Sequence, residues 1–145
     1  MPSMLEFAER QIRGEVPPPP IAQTTGLRMI SIGPGRAVFE LDVDRRFHNP
    51  MGTMHGGVLT LIADSAMGMA FASTLEEGQT FTTIELKANF LMPVRSGTLV
   101  ATGRLVQRGR TVGLTECDVT LDGQLVARAM STCIARTISA DTRSE

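Results

Sequence analysis

Asn49-Pro50-Met51-Gly52-Thr53-Met54-His55-Gly56-Gly57 runs straight into VLTLIADSAMGMAFAS, residues 58–73, and these two segments decide the fold. The second is apolar almost all round and carries Asp64 as its sole charge. A helix of that kind has no solvent face and is expected to be buried. A carboxylate inside it is costly unless something pairs with it or uses it. Gly56 and Gly57 leave the first-turn N–H groups bare of side chains, so an oxygen of a bound molecule can approach them closely. The helix is read as running from about 56 to 75, with Glu76-Glu77-Gly78 closing it. It combines an oxyanion-friendly N-terminus with a lone buried carboxylate.

The spacing sharpens this. At about 1.5 Å and 100° per residue, His55 and Asp64 stand roughly 13 Å apart along the axis and about half a turn around it. Two such groups cannot reach one substrate atom from within one helix. If both are catalytic, they meet through a second copy of the chain, with two helices side by side and antiparallel about a two-fold axis.

The 145 residues suit one domain with a real core, residues 1–145. At 42% hydrophobic and 20% charged the chain is globular in composition. A net charge of −1 gives no general case for nucleic acid. Lys87 is the only lysine, however, and arginine suits bidentate phosphate binding, so a local anion site stays open. Asp64 interrupts the longest apolar run, which leaves no membrane span, and MPSMLEFAERQIRGE has no signal-peptide core. A cytoplasmic location is the expectation. Cys117 and Cys133 fall on the two strands of a hairpin turning at Asp122-Gly123. A turn pairing 121 with 124 sets Cys117 opposite Arg128 and Cys133 opposite Val112, so two reduced thiols are expected. No CxxC or HExxH occurs, and histidines at 48 and 55 make a poor metal set.

Along the chain, Leu5, Ala8 and Ile12 mark one face of a short amphipathic helix over 4–13. Pro17 to Pro20 form a stiff extended connector, which completes an N-terminal segment of residues 1–25. LRMISIG and RAVFELDVD flank Gly33-Pro34-Gly35, a turn between two strands. Beyond the central helix, TFTTIELKANFLM, TLVATGRLVQ, TVGLTECDVTL and QLVARAMSTCIART are separated by turn signals, the pattern of an antiparallel meander. Residues 137–145 are a polar tail. The fold class is α+β. One apolar helix is covered by a curved antiparallel sheet, and Ala63, Ala66, Gly68, Ala70 and Ala72 permit close approach of the strands.

A central helix wrapped by such a sheet, with His-Gly-Gly at its start and Asp nine residues later, resembles the hotdog fold. More narrowly, Asn49-x5-His55-Gly56-Gly57-x6-Asp64, Phe90-Leu91-Met92-Pro93 and Gln107-Arg108-Gly109-Arg110-Thr111 resemble acyl-CoA thioesterases of the phenylacetate-pathway type. The resemblance covers about residues 26–136. It implies Asp64 as general base or nucleophile, Gly56 N–H as oxyanion donor, Asn49 orienting carbonyl or water, and His55 near the thioester sulfur. Thr83 stands where the family often has serine and would hold the carboxylate or its water. Gln107 to Val112 would meet coenzyme A, with Arg108 and Arg110 toward its phosphates, Gly109, Thr111 and Val112 along the same edge, and Phe90 beside the substrate. It further implies intersubunit sites in a homodimer, a homotetramer built as a dimer of dimers, and no metal, cofactor, nucleic-acid or membrane partner.

The same residues have plain structural uses. Asp64 can be a hydroxyl-satisfied core aspartate, His55 a helix-start residue and Asn49 a turn former. Arg108-Gly109-Arg110 can be a solvated hairpin tip, and Met51, Met54, Met67, Met69 and Met92 core filler or an adaptable acyl lining. Two other activities fit the outline. A hydratase or dehydratase would pair a histidine with the carboxylate, and an acyl-CoA-binding regulator would need a DNA-binding element.

Overall fold

The computed structural model describes residues 2–139. Its elements are α1 (Met4–Ile12), α2 (Pro20–Thr25), β1 (Arg28–Gly33), β2 (Arg36–Asp42), a 3-10 turn (Arg45–Phe47), α3 (Gly56–Ala72), β3 (Gln79–Phe90), β4 (Thr98–Arg108), β5 (Val112–Leu121) and β6 (Gln124–Thr137). Six strands form one antiparallel sheet in the order β1-β2-β4-β5-β6-β3, curled around α3. The expected architecture of one helix wrapped by one sheet is the one observed. The polar tail lies mostly outside the described residues, which end at Ser139.

Turn chemistry fixes the hairpins. Gly35 takes φ 74° between β1 and β2, and Gly33 pairs with Arg36. Asp122 and Gly123 both have positive φ, 50° and 79°, as a two-residue I′ turn requires. Leu121 then pairs with Gln124 as expected. The register further along differs from the expectation by one residue: a bulge next to Val119 sets Cys117 opposite Ala129 and Cys133 opposite Gly113. An extra residue in one strand shifts everything beyond it. Both thiols are free and buried.

Two further readings are corrected. The strands after the helix are not a simple meander: β4, β5 and β6 are, but β3 crosses over and pairs with β6 at the far edge. The crossover carries Val94, whose carbonyl accepts the Met54 N–H at 2.7 Å, so it also pins the loop before α3. The proline segment is extended only to Pro19; Pro20 opens a second short helix, where its missing N–H costs nothing. Of the α1 face, Ala8 alone is fully buried. A Ser3–Glu6 capping box starts that helix.

Small residues let the sheet close on α3. The concave face presents Ala101, Gly103, Cys117, Ala129 and Cys133, all buried or nearly so. A Cβ at Gly103 would lie 2.3 Å from the Ala66 carbonyl oxygen, so β4 meets the helix backbone itself. Gly68 meets a side chain instead, with the Phe81 ring 3.0 Å from where its Cβ would be. Helix α3 ends at Ala72 because the Ser73 and Thr74 hydroxyls donate to the Ala70 and Phe71 carbonyls, each at 2.7 Å. Ser73 Oγ also accepts the Gly35 N–H at 2.8 Å, tying the helix end to the β1–β2 turn.

Candidate active site

The site has two halves. In the first, His55 is the N-cap of α3 and its Nδ1 accepts the Gly57 N–H at 2.8 Å. A ring nitrogen that accepts carries no proton, so the proton is on Nε2 in the neutral ring. The Val58 N–H turns back to the His55 carbonyl at 2.9 Å. That leaves the Gly56 N–H without a partner among the described residues, at the positive end of the helix dipole. The Phe90 ring covers Gly56 so closely that a Cβ there would sit 2.8 Å from it.

Asn49 shapes the loop beneath. Its Oδ1 accepts the Met51 and Thr53 N–H groups at 3.0 and 3.2 Å, and its Nδ2 donates to Thr53 Oγ1 at 2.8 Å. Its turn-forming use is therefore real, and one Nδ2 hydrogen is left over. Asn49, Gly56, Phe90 and Met92 line one cleft of about 260 Å3.

The second half is Asp64. The expectation of full burial is corrected here: Asp64 is half-buried, and so are Thr60, Leu61, Ser65 and Met69 on the same helix stripe. The sheet covers the rest of α3 but leaves this stripe open beside β3. Thr83 on β3 donates its hydroxyl to Asp64 Oδ1 at 3.0 Å, with Cys133 Sγ behind it at 3.8 Å. A hydrogen bond to a carboxylate is stronger than one between neutral groups, and here it fixes the carboxylate's orientation. Asp64 and Thr83 line two adjoining clefts. Neither includes Gly56, and the Gly56 cleft includes neither of them. Within one chain the two halves do not share a cleft.

The hairpin 107–112 is ordered by its own backbone. The Gly109 N–H donates to the Val112 carbonyl at 2.8 Å, and a Cβ at Gly109 would collide with that oxygen. The Thr111 carbonyl accepts the Ala135 N–H at 2.7 Å. Gln107 and Val112 are exposed, and a bulge lies beside Gln107. The two arginines differ. Arg108 stacks on Phe71 at 4.7 Å and bonds Thr74 Oγ1 at 3.1 Å and the Gly109 carbonyl. Arg110 is exposed, with no ion pair among the described residues.

Neither histidine bonds Asp64: His48 Nε2 meets the Arg95 carbonyl at 3.1 Å, and His55 serves Gly57. Sequence reasoning missed Phe47, whose carbonyl holds the His55 N–H at 2.8 Å, and the wall built by Met29, Phe39 and Phe81 beside Asp64. The absence of Trp and Tyr signalled that any aromatic lining is Phe, but not which Phe.

Residues 51–127 match the Thioesterase superfamily over more than half of the chain. The chain belongs to that superfamily. The 1,4-dihydroxy-2-naphthoyl-CoA hydrolase of Listeria monocytogenes is 29% identical over 69% of this chain and 81% of its own length. Human acyl-coenzyme A thioesterase 13 is 28% identical over 73% of this chain and 77% of its own. The phenylacetic acid degradation-related protein of Ralstonia eutropha JMP134 superposes with a TM-score of 0.81 at 34% identity, covering 88% of this chain and 98% of the other. The hotdog resemblance drawn from the residues is thus the family's own fold. Within the superfamily match lie His55, Gly56, Asp64, Thr83, Phe90 and the 107–112 hairpin; Asn49 stands just before it.

Proposed function

We propose that this thioesterase-superfamily protein hydrolyses an acyl-CoA thioester to free acid and coenzyme A. The observation that carries the reading is the pairing of an uncommitted Gly56 N–H at the α3 N-terminus with an oriented, solvent-reachable Asp64 on the open stripe of the same helix.

Asp64 accepts a proton from water as its oxygen attacks the carbonyl carbon. Thr83 holds Oδ1 during this step, which directs Oδ2 to the water. The carbonyl oxygen becomes an oxyanion and takes the Gly56 N–H, a donor already aimed and needing no reorganisation. Collapse of the tetrahedral species breaks the C–S bond, and the thiolate takes from Asp64 the proton that came from the water, with the His55 Nε2–H placed to donate a hydrogen bond to the sulfur. Direct attack by Asp64, with an anhydride intermediate, uses the same groups. Oxygen-18 incorporation into Asp64 in a single turnover separates the two routes. Only water and the chain's own residues enter this chemistry.

The two halves meet between subunits in this reading. β3 is an edge strand of twelve residues with Ile84 exposed, and it borders the open stripe of α3. A second copy on this edge brings its Gly56 and Asn49 loop to Asp64. A dimer of such dimers is the assembly we infer. Arg110 at the exposed hairpin tip takes a phosphate of coenzyme A, with Arg108 holding the hairpin to the helix end. The two free buried thiols fit a reducing cytoplasm. No helix among the described residues is long and apolar enough to cross a membrane.

A hydratase reading needs a histidine paired with the carboxylate; within one chain neither histidine is bonded to it, and parallel incubation with an enoyl-CoA and a saturated acyl-CoA separates the two activities, since a hydratase releases no free thiol. The decisive experiment is Asp64→Asn. Near-equal volume keeps the packing while the base is lost, so thioester hydrolysis falls by about two to four orders of magnitude with fold and assembly intact. Near-normal turnover by a folded Asp64→Asn enzyme sinks the assignment.

A further inference from the structure

Beside Asp64 and Thr83 lies a cleft of about 390 Å3, within the range of about 300–1,000 Å3 usual for small-molecule sites. Asp64 and Thr83 sit on its wall, so a carbonyl placed at Asp64 can direct its substituent inward. Much of the lining comes from segments outside the superfamily match: Ile12 of α1, Ile21 of α2, Met29 of β1 and Phe39 of β2. Gly56, Asp64 and Thr83 lie inside the match. Reaction and substrate choice are therefore assigned to different parts of the chain.

We propose that this cleft holds the acyl group, that it takes an uncharged apolar acyl chain or ring, and that the N-terminal helices set the length accepted. The inference rests on the thioesterase reading above and deepens it. Three observations support it. The lining is predominantly aliphatic and aromatic, with Met69 and Phe81 completing the wall. The polar side chains in it are mostly committed elsewhere. Arg28 donates to Asp42, Glu40 and the Gly26 carbonyl, and the Ser65 hydroxyl donates to the Leu61 carbonyl. A terminal carboxylate on the acyl group would thus meet no uncommitted cation among the described residues and would lose its hydration. Third, Ile12 and Ile21 remain 38% and 48% exposed although both are large aliphatics facing the cleft. A bound acyl chain covers them.

The occupant follows from Asp64. A second copy of the chain seated in this cleft would block the carboxylate that the reaction needs, whereas an acyl chain there points its thioester at it. A polar acyl substituent would find the neutral Gln11 amide and little else.

The test is kcat/KM for the coenzyme A esters of acetate, hexanoate, octanoate, benzoate and succinate, in the wild type and in Ile12→Trp, Ile21→Trp, Ile12→Ala and Ile21→Ala. Each buried methylene multiplies binding by about fourfold. The octanoyl-to-acetyl ratio should therefore exceed about tenfold in the wild type, and succinate should rank lowest of the larger acyl groups. The tryptophan variants should lower that ratio by about tenfold, and the alanine variants should move the optimum to longer chains. The two pairs act in opposite directions, so a misfolded tryptophan variant leaves the alanine pair to decide. If no ester is hydrolysed, the thioesterase reading itself fails. If esters are hydrolysed but succinyl or acetyl is preferred, or all variants change every ester equally, this inference alone falls. A shift in dimer dissociation with an unmoved ratio assigns the cleft to the second copy and overturns it as well.

Discussion

At Asp64 the proposed chemistry depends on one contact, the Thr83 hydroxyl at 3.0 Å, in an otherwise open stripe. The neighbouring arginines show how residue type alone misleads. Arg108 and Arg110 look equivalent in the sequence, yet the first is spent on Phe71 and Thr74 and the second points no charge at any partner among the described residues. Arg110→Ala should accordingly raise KM for coenzyme A esters by about three- to tenfold with kcat little changed, because ground-state phosphate binding is what it removes. A pantetheine thioester, which lacks the nucleotide, should show no such rise; equal damage to both substrates makes Arg110 structural. The thiols lead to a pH prediction. Burial, and then the nearby Asp118, pushes Cys117 up to about 12 from an ordinary 9.0. Above pH 9 the unfolded chain releases this proton while the folded chain keeps it, so stability falls as pH rises from 9 toward 12. Urea melts at pH 8 and pH 10 should show a larger loss for the wild type than for Cys117→Ala, and native Cys117 should resist a thiol reagent at pH 8.

Among the elements, the contact between α3 and β4 carries the tightest constraint. Gly103 lies where the strand touches the Ala66 carbonyl, and no side chain can move aside because the obstacle is backbone. Gly103→Ala should destabilise by about 3 kcal/mol or more, at or beyond the usual cost of overpacking, with a lowered denaturation midpoint as the measure. A cost under about 1 kcal/mol would show that the sheet can back away from the helix. Gly68→Ala, against a rotatable Phe81 ring, should cost less. Ion pairs such as Arg104–Glu116 and Arg128–Asp118 lie on partly exposed side chains that water still screens, and contribute about 1 kcal/mol or less each. Close packing on α3, more than these pairs, holds the fold.

For the whole molecule, the decisive fact is that Asp64 and Gly56 line different clefts of one chain. Homodimers of Asp64→Ala and of Asn49→Ala should each be nearly inactive, the second because the loop setting Gly56 loses three hydrogen bonds. Mixed and exchanged, they should form heterodimers with one doubly defective and one intact site. Activity should approach a quarter of wild type, since about half of the dimers are mixed and each has one good site of two. Subunit exchange seen by mass spectrometry without returning activity would falsify the shared site.

By itself the sequence determined the helix, its glycine start, its lone carboxylate, the hairpin turns at Gly35 and Asp122-Gly123, and the thioesterase resemblance. Each of these is written locally, in hydrophobic periodicity, turn residues or fixed spacing. It also placed Asp64 and His55 too far apart for one helix to join, since helix rise is a constant. Only the tertiary structure decided that β3 leaves the meander for the far edge, because strand neighbours are chosen by how a sheet closes on its helix and not by chain order. The same closure, covering three sides of α3 and stopping short of the fourth, left Asp64 half-buried and open to a substrate. The Cys117 register moved by one residue through a bulge that no turn signal announces. The wall of Ile12, Ile21, Met29 and Phe39 beside Asp64 joins residues distant along the chain, and long-range packing alone brings them together.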